Sequence, residues 1–150
     1  MNLVEIYEGA LPTEEIYKRW YNFGCKNNLG ANCIFTGIVR EENGFDGLSF
    51  DIYEPILQDW FNSWQEKALK NGVFLKMAHS QGNVLNHKSS YMSGVFSSQR
   101  KASLEIFDVF VEDFKHNAPI WKYDLQNNNR IYAKDRSHKL KNSGLLSNKG

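Results

Sequence analysis

Apolar and polar positions follow two rhythms along this chain, and the switches between them mark out its elements. The opening run LVEIYEG (3–9) reads as a short strand. From Pro12 the period lengthens: Ile16, Trp20 and Phe23 share a face of PTEEIYKRWYNFG (12–24), which predicts a helix. Thr13 is placed to cap it, Glu14 and Glu15 suit its positive end, and Gly24 is placed to end it. ANCIFTGIVR (31–40) has little polar alternation and predicts a buried strand. EENGFDG then reads as a hairpin-type loop. LSFDIY (48–53) alternates cleanly, with Leu48, Phe50 and Ile52 on one side. After Pro55, Leu57, Trp60, Phe61 and Trp64 form the stripe of an amphipathic helix over 56–72, ended by Asn71-Gly72.

VFLKMAHS (73–80), NVLNH (83–87) and SYMSGVFS (90–97) predict three further strands. The longest helix spans 98–117. Its Ile106, Phe107, Phe110, Val111 and Phe114 face the core, and Lys101, Glu105, Asp108, Glu112 and Lys115 face water. Beyond Pro119, IWKYDL and RIYAKD flank QNNN as a closing hairpin. Neighbouring strands joined by short loops pair antiparallel, so the expected fold is α+β, with helices packed on a mainly antiparallel sheet.

At 150 residues the chain is long enough for one domain with a real core. The net charge of +1 gives no global field toward nucleic acid or membrane, and neither is an expected partner. The charge is uneven, however. Residues 134–150 hold five cations (Lys134, Arg136, Lys139, Lys141, Lys149) against Asp135, a balance of +4 that leaves −3 in the body. We therefore expect a domain over 1–135 and a basic, flexible tail over 136–150. The spacing of Cys25 and Cys33 fits neither a redox pair nor a zinc knuckle. With no signal-peptide pattern and no membrane-length apolar run, a reduced, cytoplasmic setting is expected. The histidines (His79, His87, His116, His138) show no metal spacing, and there is no phosphate-loop or dinucleotide fingerprint.

Candidate chemistry gathers at FKHNAPIWK (114–122), where Lys115 and Lys122 flank a helix-breaking Pro119. Taken by itself, Lys115 reads first as a solvated cation suited to its helix C-terminus, and only second as a site residue. Lys122 alternates with Trp121 and Tyr123. It reads either as an edge-strand lysine that discourages aggregation, or as one whose apolar walls lower its pKa for proton transfer or anion binding. Arg100 and Lys101 open the long helix, where cations oppose the macrodipole. That is either weak surface electrostatics or the mark of an anion bound at the helix end. Arg40 ends a strand beside a loop, a frequent site position, and is otherwise a surface arginine. Arg100 and Lys115 stand 15 residues apart, roughly 22 Å along one helix, so one small ligand cannot touch both within a single chain. If both serve one site, the chain works as a two-fold dimer with antiparallel long helices.

GANCIFTGIVR, LSFDIYEP, SSQRKAS and FKHNAPIWK occur in the order and approximate spacing of the catalytic, large subunit of molybdopterin synthase. The chain resembles that family over roughly residues 30–134. The resemblance implies an α/β hammerhead-type fold and a central homodimer. It also implies a small ubiquitin-like sulfur-carrier subunit docked at each end, a heterotetramer whose carriers insert Gly-Gly tails ending in a thiocarboxylate. The implied reaction moves that sulfur, twice, onto cyclic pyranopterin monophosphate to form the molybdopterin dithiolene. No cofactor is implied, since the pterin is the substrate. By position, Lys115 and Lys122 match the two active-site lysines, Arg40 the strand-end arginine, and Arg100 an arginine reaching in from the neighbouring subunit. Ile38, Val39, Tyr123 and Asp124 match positions lining the substrate pocket. The family commonly has histidine where this chain has Gln99, which can hydrogen-bond a pterin or phosphate but cannot transfer a proton near neutral pH. The family's arginine after the closing strand lacks a clean counterpart, with Lys134 or Arg136 as replacements. Gln99 keeps an alternative open: a non-catalytic module that binds a phosphate ligand or a protein tail. A single-strand nucleic-acid binder is a further alternative, weakened because the aromatics fall on core-facing stripes.

Overall fold

Helices cover both faces of the central strands, which is why those strands lack polar alternation. The computed structural model describes residues 3–132. The elements in chain order are β1 (Glu5–Glu8), α1 (Thr13–Lys26), β2 (Ala31–Ile38), β3 (Gly47–Ile52), α2 (Glu54–Leu69), β4 (Phe74–Leu85), β5 (Ser89–Ser97), α3 (Arg100–Asn117), β6 (Ile120–Gln126) and β7 (Asn129–Tyr132). Among the described residues the strands form one sheet in the order β2-β5-β4-β3-β6-β7, with β1 pairing β4 in parallel and every other pair antiparallel. This is the expected α+β architecture.

Strand parity divides the core. Leu75 and Met77 of β4, with Tyr91 and Val95 of β5, point toward α2 and α3 and meet Leu57, Phe61 and Phe110. Ala78, Met92 and Phe96 point the other way and meet Ile16 and Trp20 of α1. Gly94 is required here, because a Cβ would lie 2.8 Å from the Phe96 ring and 3.0 Å from Trp20. A smaller cluster of Val39, Phe50 and Val84 sits near the end of β2.

Several expectations are corrected. β2 is an edge strand, with Phe35 38% and Ile38 60% exposed, because apolar side chains on an edge leave one face unpaired within the chain. EENGFDG does turn, with Asn43 and Gly44 at positive φ, but β2 and β3 are not neighbours, so it is a connection across the sheet. The two strands expected over 73–87 are one long β4. It bends at Gly82 (φ +82), pairing β5 on one side of the bend and β3 on the other. Helix α1 continues two residues past the buried Gly24, and its N-cap is Pro12 with no side-chain cap, so Thr13 opens the helix. The closing hairpin is present through Tyr132, with Asn127 and Asn128 both at positive φ, the geometry of a two-residue type I′ turn. The basic tail, with Lys134, Arg136 and His138, lies outside the described residues. No helix among the described residues is long and apolar enough to cross a membrane.

Candidate active site

Helix α3 ends where its sequence requires. Pro119 has no N–H to continue the ladder, and Ala118 before it is extended (φ −73, ψ 140). The chain reverses into β6, which pairs with β3 so that Phe50 faces Lys122 and Ile52 faces Ile120. Lys115, on the last turn of the helix, and Lys122, two residues into the strand, thereby line one cavity of about 330 Å³. Pro119 is the hinge that turns both ammonium groups to it.

The opposite wall comes from the end of β2. Its register shifts between Gly37 and Ile38, a bulge that re-aims the strand end. The turn between β4 and β5 then clasps the next residue. The Val39 N–H donates to the Lys88 carbonyl (2.9 Å), and the Val39 carbonyl accepts from the His87 N–H (2.6 Å). Val39 is buried by this clasp, and Ile38, Val39 and Arg40 all line the cavity. Arg40 pairs with Glu42 at 3.7 Å, an exposed contact of little energetic weight. Three cations, Arg40, Lys115 and Lys122, thus meet one carboxylate, Glu42, among the charged side chains of the lining.

Aromatic packing fixes the floor. Phe114 stacks on Tyr91 at 4.0 Å and 6°, locking the turn that carries Lys115. The Tyr91 hydroxyl makes a short hydrogen bond with Ser93, and burial pushes its pKa up. Asp113 anchors the same turn from behind. Its Oδ2 accepts from Trp60 Nε1 (2.8 Å) and Trp64 Nε1 (2.7 Å), and its Oδ1 from Asn117 Nδ2 (2.5 Å). Burial alone would raise the Asp113 carboxyl, but the bonds from Trp64, Asn117 and Trp60 outweigh it and hold the pKa below the usual range.

The remaining sequence-identified residues lie elsewhere in the single chain. Tyr123 points to the opposite side of β6 from Lys122, under the Arg130 guanidinium (3.8 Å), and Arg130 is bonded to Asp51 at 2.8 Å. Asp124 is buried on the cavity side of β6, one step beyond the lining and paired with Leu48. Arg100 lies in a separate groove with Cys25, Cys33 and Leu104, and Gln99 in another with Ser97 and Lys101. The chain alone therefore unites Ile38, Val39, Arg40, Lys115 and Lys122, and leaves Gln99, Arg100 and Tyr123 apart from them.

Sequence reasoning missed His79, Tyr91, Phe114 and Asp113. Parity offered a signal for His79: it shares a strand face with Leu75 and Met77, so a polar ring at a core position called for a reason. The Trp60 and Trp64 indoles signalled Asp113, since each buried N–H needs an acceptor.

The profile of the family described as MoaE protein matches residues 7–117. The chain belongs to the MoaE family, the molybdopterin synthase catalytic subunits. A molybdopterin synthase catalytic subunit of Helicobacter pylori (strain ATCC 700392 / 26695) is 54% identical over 145 residues, covering 97% of this chain and 100% of that one. A solved protein-protein complex of subunits 1 and 2 of molybdopterin-converting factor, also from Helicobacter pylori 26695, contains a chain with TM-score 0.90 and 55% identity. The match covers 95% of this chain and 98% of that one. Molybdopterin synthase from Staphylococcus aureus shares the fold at TM-score 0.72 and 22% identity, over 88% of this chain and 97% of that one. The MoaE match ends at Asn117, short of Lys122, which is placed by the cavity it shares with Lys115.

Proposed function

We propose that this MoaE-family chain transfers two sulfur atoms, one from each of two C-terminal thiocarboxylates of a small carrier subunit, to cyclic pyranopterin monophosphate, forming the molybdopterin dithiolene and leaving each carrier as its carboxylate. The observation that carries the reading is the convergence of Lys115, Lys122 and Arg40 on one cavity that neither cysteine lines. A sulfurtransferase without its own thiol at the site needs sulfur brought to it, and the donor and a phosphorylated pterin are both anions. Two anions in one pocket repel, and several cations offset that repulsion.

Arg40, joined by Arg100 of a second copy, holds the cyclic phosphate through charge-assisted bonds. Lys115 and Lys122 neutralise the thiocarboxylate and the charge that develops on the phosphate. One of them passes protons as the cyclic phosphate opens and water leaves. Asp124, and Gln99 of the second copy, complete the pocket around the pterin once the carrier and the second copy are in place. The dimer reading is supported by exposed apolar side chains on adjoining elements: Leu104 and Val109 on α3, Phe35 and Ile38 on the β2 edge. The full assembly is a homodimer with a carrier at each end, working in the cytoplasm. Residues 1–135 form the catalytic domain, and 136–150 a basic tail.

A single-turnover reaction of thiocarboxylated carrier with cyclic pyranopterin monophosphate tests this. Dithiolene product is expected. Tight carrier binding without product would replace the reading with that of a binding module.

A further inference from the structure

One side chain of the cavity has no part in the sulfur transfer described above. His79, on β4, is 3% exposed and lines the inner wall. Its Nδ1 lies 2.7 Å from the Ser80 carbonyl oxygen. A carbonyl can only accept, so Nδ1 carries the proton and Nε2, across the ring, keeps its lone pair. Among the described residues Nε2 has no hydrogen-bond partner. Nor is it sealed away: the only fully enclosed unpartnered side-chain atom among the described residues is Ser80 Oγ. The ring is walled by Phe50 edge-on at 5.0 Å, Phe114 at 5.6 Å and Tyr91 at 5.8 Å, each a cavity residue itself.

The polar character of the pocket is therefore lopsided. Arg40, Lys115 and Lys122 only donate, and Glu42 is engaged with Arg40 at the rim. Deep in the site, between aromatic walls, stands a neutral ring nitrogen that accepts without donating, whereas the Ser90 and Tyr91 hydroxyls of the lining can do both. Burial keeps the His79 ring neutral, lowering its pKa to about 4 against the smaller upward effect of the Ser80 bond. A simple anion has no use for such a group. A flat ring bearing an N–H, with an anionic group at its other end, satisfies every feature of the pocket.

We propose that His79 Nε2 is the specificity-determining acceptor of this cavity, taking a hydrogen bond from a ring N–H of a nitrogen heterocycle whose anionic end lies against Arg40, Lys115 and Lys122. The inference rests on the pterin-phosphate reading above and names the group that recognises the pterin ring as distinct from its phosphate. Leaving a buried acceptor without its donor costs affinity, so ligands that lack the N–H are discriminated against.

The test is an anaerobic titration of full-length protein, carrying ¹⁵N-labelled histidine, with cyclic pyranopterin monophosphate, following both ring nitrogens by NMR. Without ligand, His79 shows a protonated Nδ1 and a bare Nε2. Ligand moves the Nε2 resonance upfield and leaves Nδ1 in place. In parallel, His79→Phe, which keeps the ring packing, weakens pterin binding about 10- to 100-fold. It leaves the affinity for inorganic phosphate unchanged, and His79→Gln recovers part of the loss. A wild-type protein that fails to bind the pterin overturns the functional reading. A wild-type protein that binds it with Nε2 unmoved, or a His79→Phe variant that binds it equally well, overturns this inference and leaves the functional reading standing. Should His79→Phe fail to fold, the wild-type titration decides alone.

Discussion

The two ends of α3 are built on opposite principles. The Lys115 end is completed from within the chain: Asp113 is pinned by two indoles, Phe114 is stacked on Tyr91, and Ala118 donates its N–H to the Phe114 carbonyl. The Arg100 end is only half finished. Ser97 Oγ accepts from the Ser103 N–H (3.2 Å), which already belongs to the helical ladder, so the first free N–H groups are not served by it; Gln99 gives no side-chain cap and no acid sits in the first turn. Arg100 and Leu104 face outward there. A cation at the positive end of a helix, beside exposed apolar side chains, is unfavourable alone and sensible when a second surface brings an anion and covers the leucine. The first end is a wall of the cavity, and the second, on the proposed function, is the part of a site that a second copy completes.

Lys122 is where this contrast is broken most severely. Lys122→Ala removes a cation from the finished half, and sulfur transfer by the carrier complex is expected to fall by about 100-fold or more. Oligomer mass and the far-ultraviolet circular dichroism spectrum should not change. Near-normal turnover would refute the assignment.

The unfinished half calls for a mixing experiment. Arg100→Ala and Lys115→Ala should each be nearly inactive alone. After the two purified variants are unfolded and refolded together, half of randomly assembled dimers are mixed, and each mixed dimer has one intact composite site. Activity should return to about a quarter of wild type if sites form across a two-fold interface. A mixture no more active than its components would mean that Arg100 serves no shared site.

These tests bear on what could be read in the sequence. The amphipathic stripes of α2 and α3 were legible because each packs one face on the sheet, so burial repeats at the helical period. Lys115 and Lys122 were legible as a pair because proline marks a reversal, and a reversal returns neighbouring residues to one place. Pairing across the sheet was not legible. The run of apolar residues in β2 reads identically on a central strand and on an exposed edge. Residues 73–87 look like two strands because Gly82 interrupts the pattern, although the backbone only bends there. His79 carries no mark in the local sequence, because its meaning lies in tertiary neighbours from β3, β5 and α3.

The His79 environment makes a stability prediction of intermediate size. The folded protein holds this imidazole neutral, with a pKa of about 4. Its contribution to stability is therefore fully present above the ordinary histidine pKa and is lost as pH falls from there toward 4. The full difference is roughly 3 kcal/mol. Charged and titratable groups share its cavity: Arg40 and Glu42 from the β2–β3 connection, Lys115 from α3, Lys122 from β6 and Tyr91 from β5. Burial acts against protonation, and the bond to the Ser80 carbonyl opposes it only in part. Urea unfolding of wild type and His79→Phe at pH 7, 5.5 and 4.5 isolates the effect, because acid-sensitive carboxylates such as Glu5 and Asp113 are common to both. The variant should lose less stability on acidification, and parallel losses would show that His79 is not held neutral.

Asp113 offers the finest probe of the contrast, because it supports Lys115 without lining the cavity. Asp113→Asn keeps the shape of the side chain but replaces one acceptor oxygen with a donor. The Asn117 amide must then turn to accept, and the charge that strengthens the Trp60 and Trp64 bonds is gone, at a cost of about 1–3 kcal/mol. The loosening should be local, since Ser97 and Ser103 hold the other end of the helix independently. Amide hydrogen exchange should accelerate over residues 110–117 and stay unchanged over 100–104. Turnover should fall modestly through kcat, because a mobile Lys115 still attracts anions but no longer waits in position. Exchange rising evenly along α3 would mean that the helix responds as one rigid unit, and the distinction between its finished and unfinished ends would not hold.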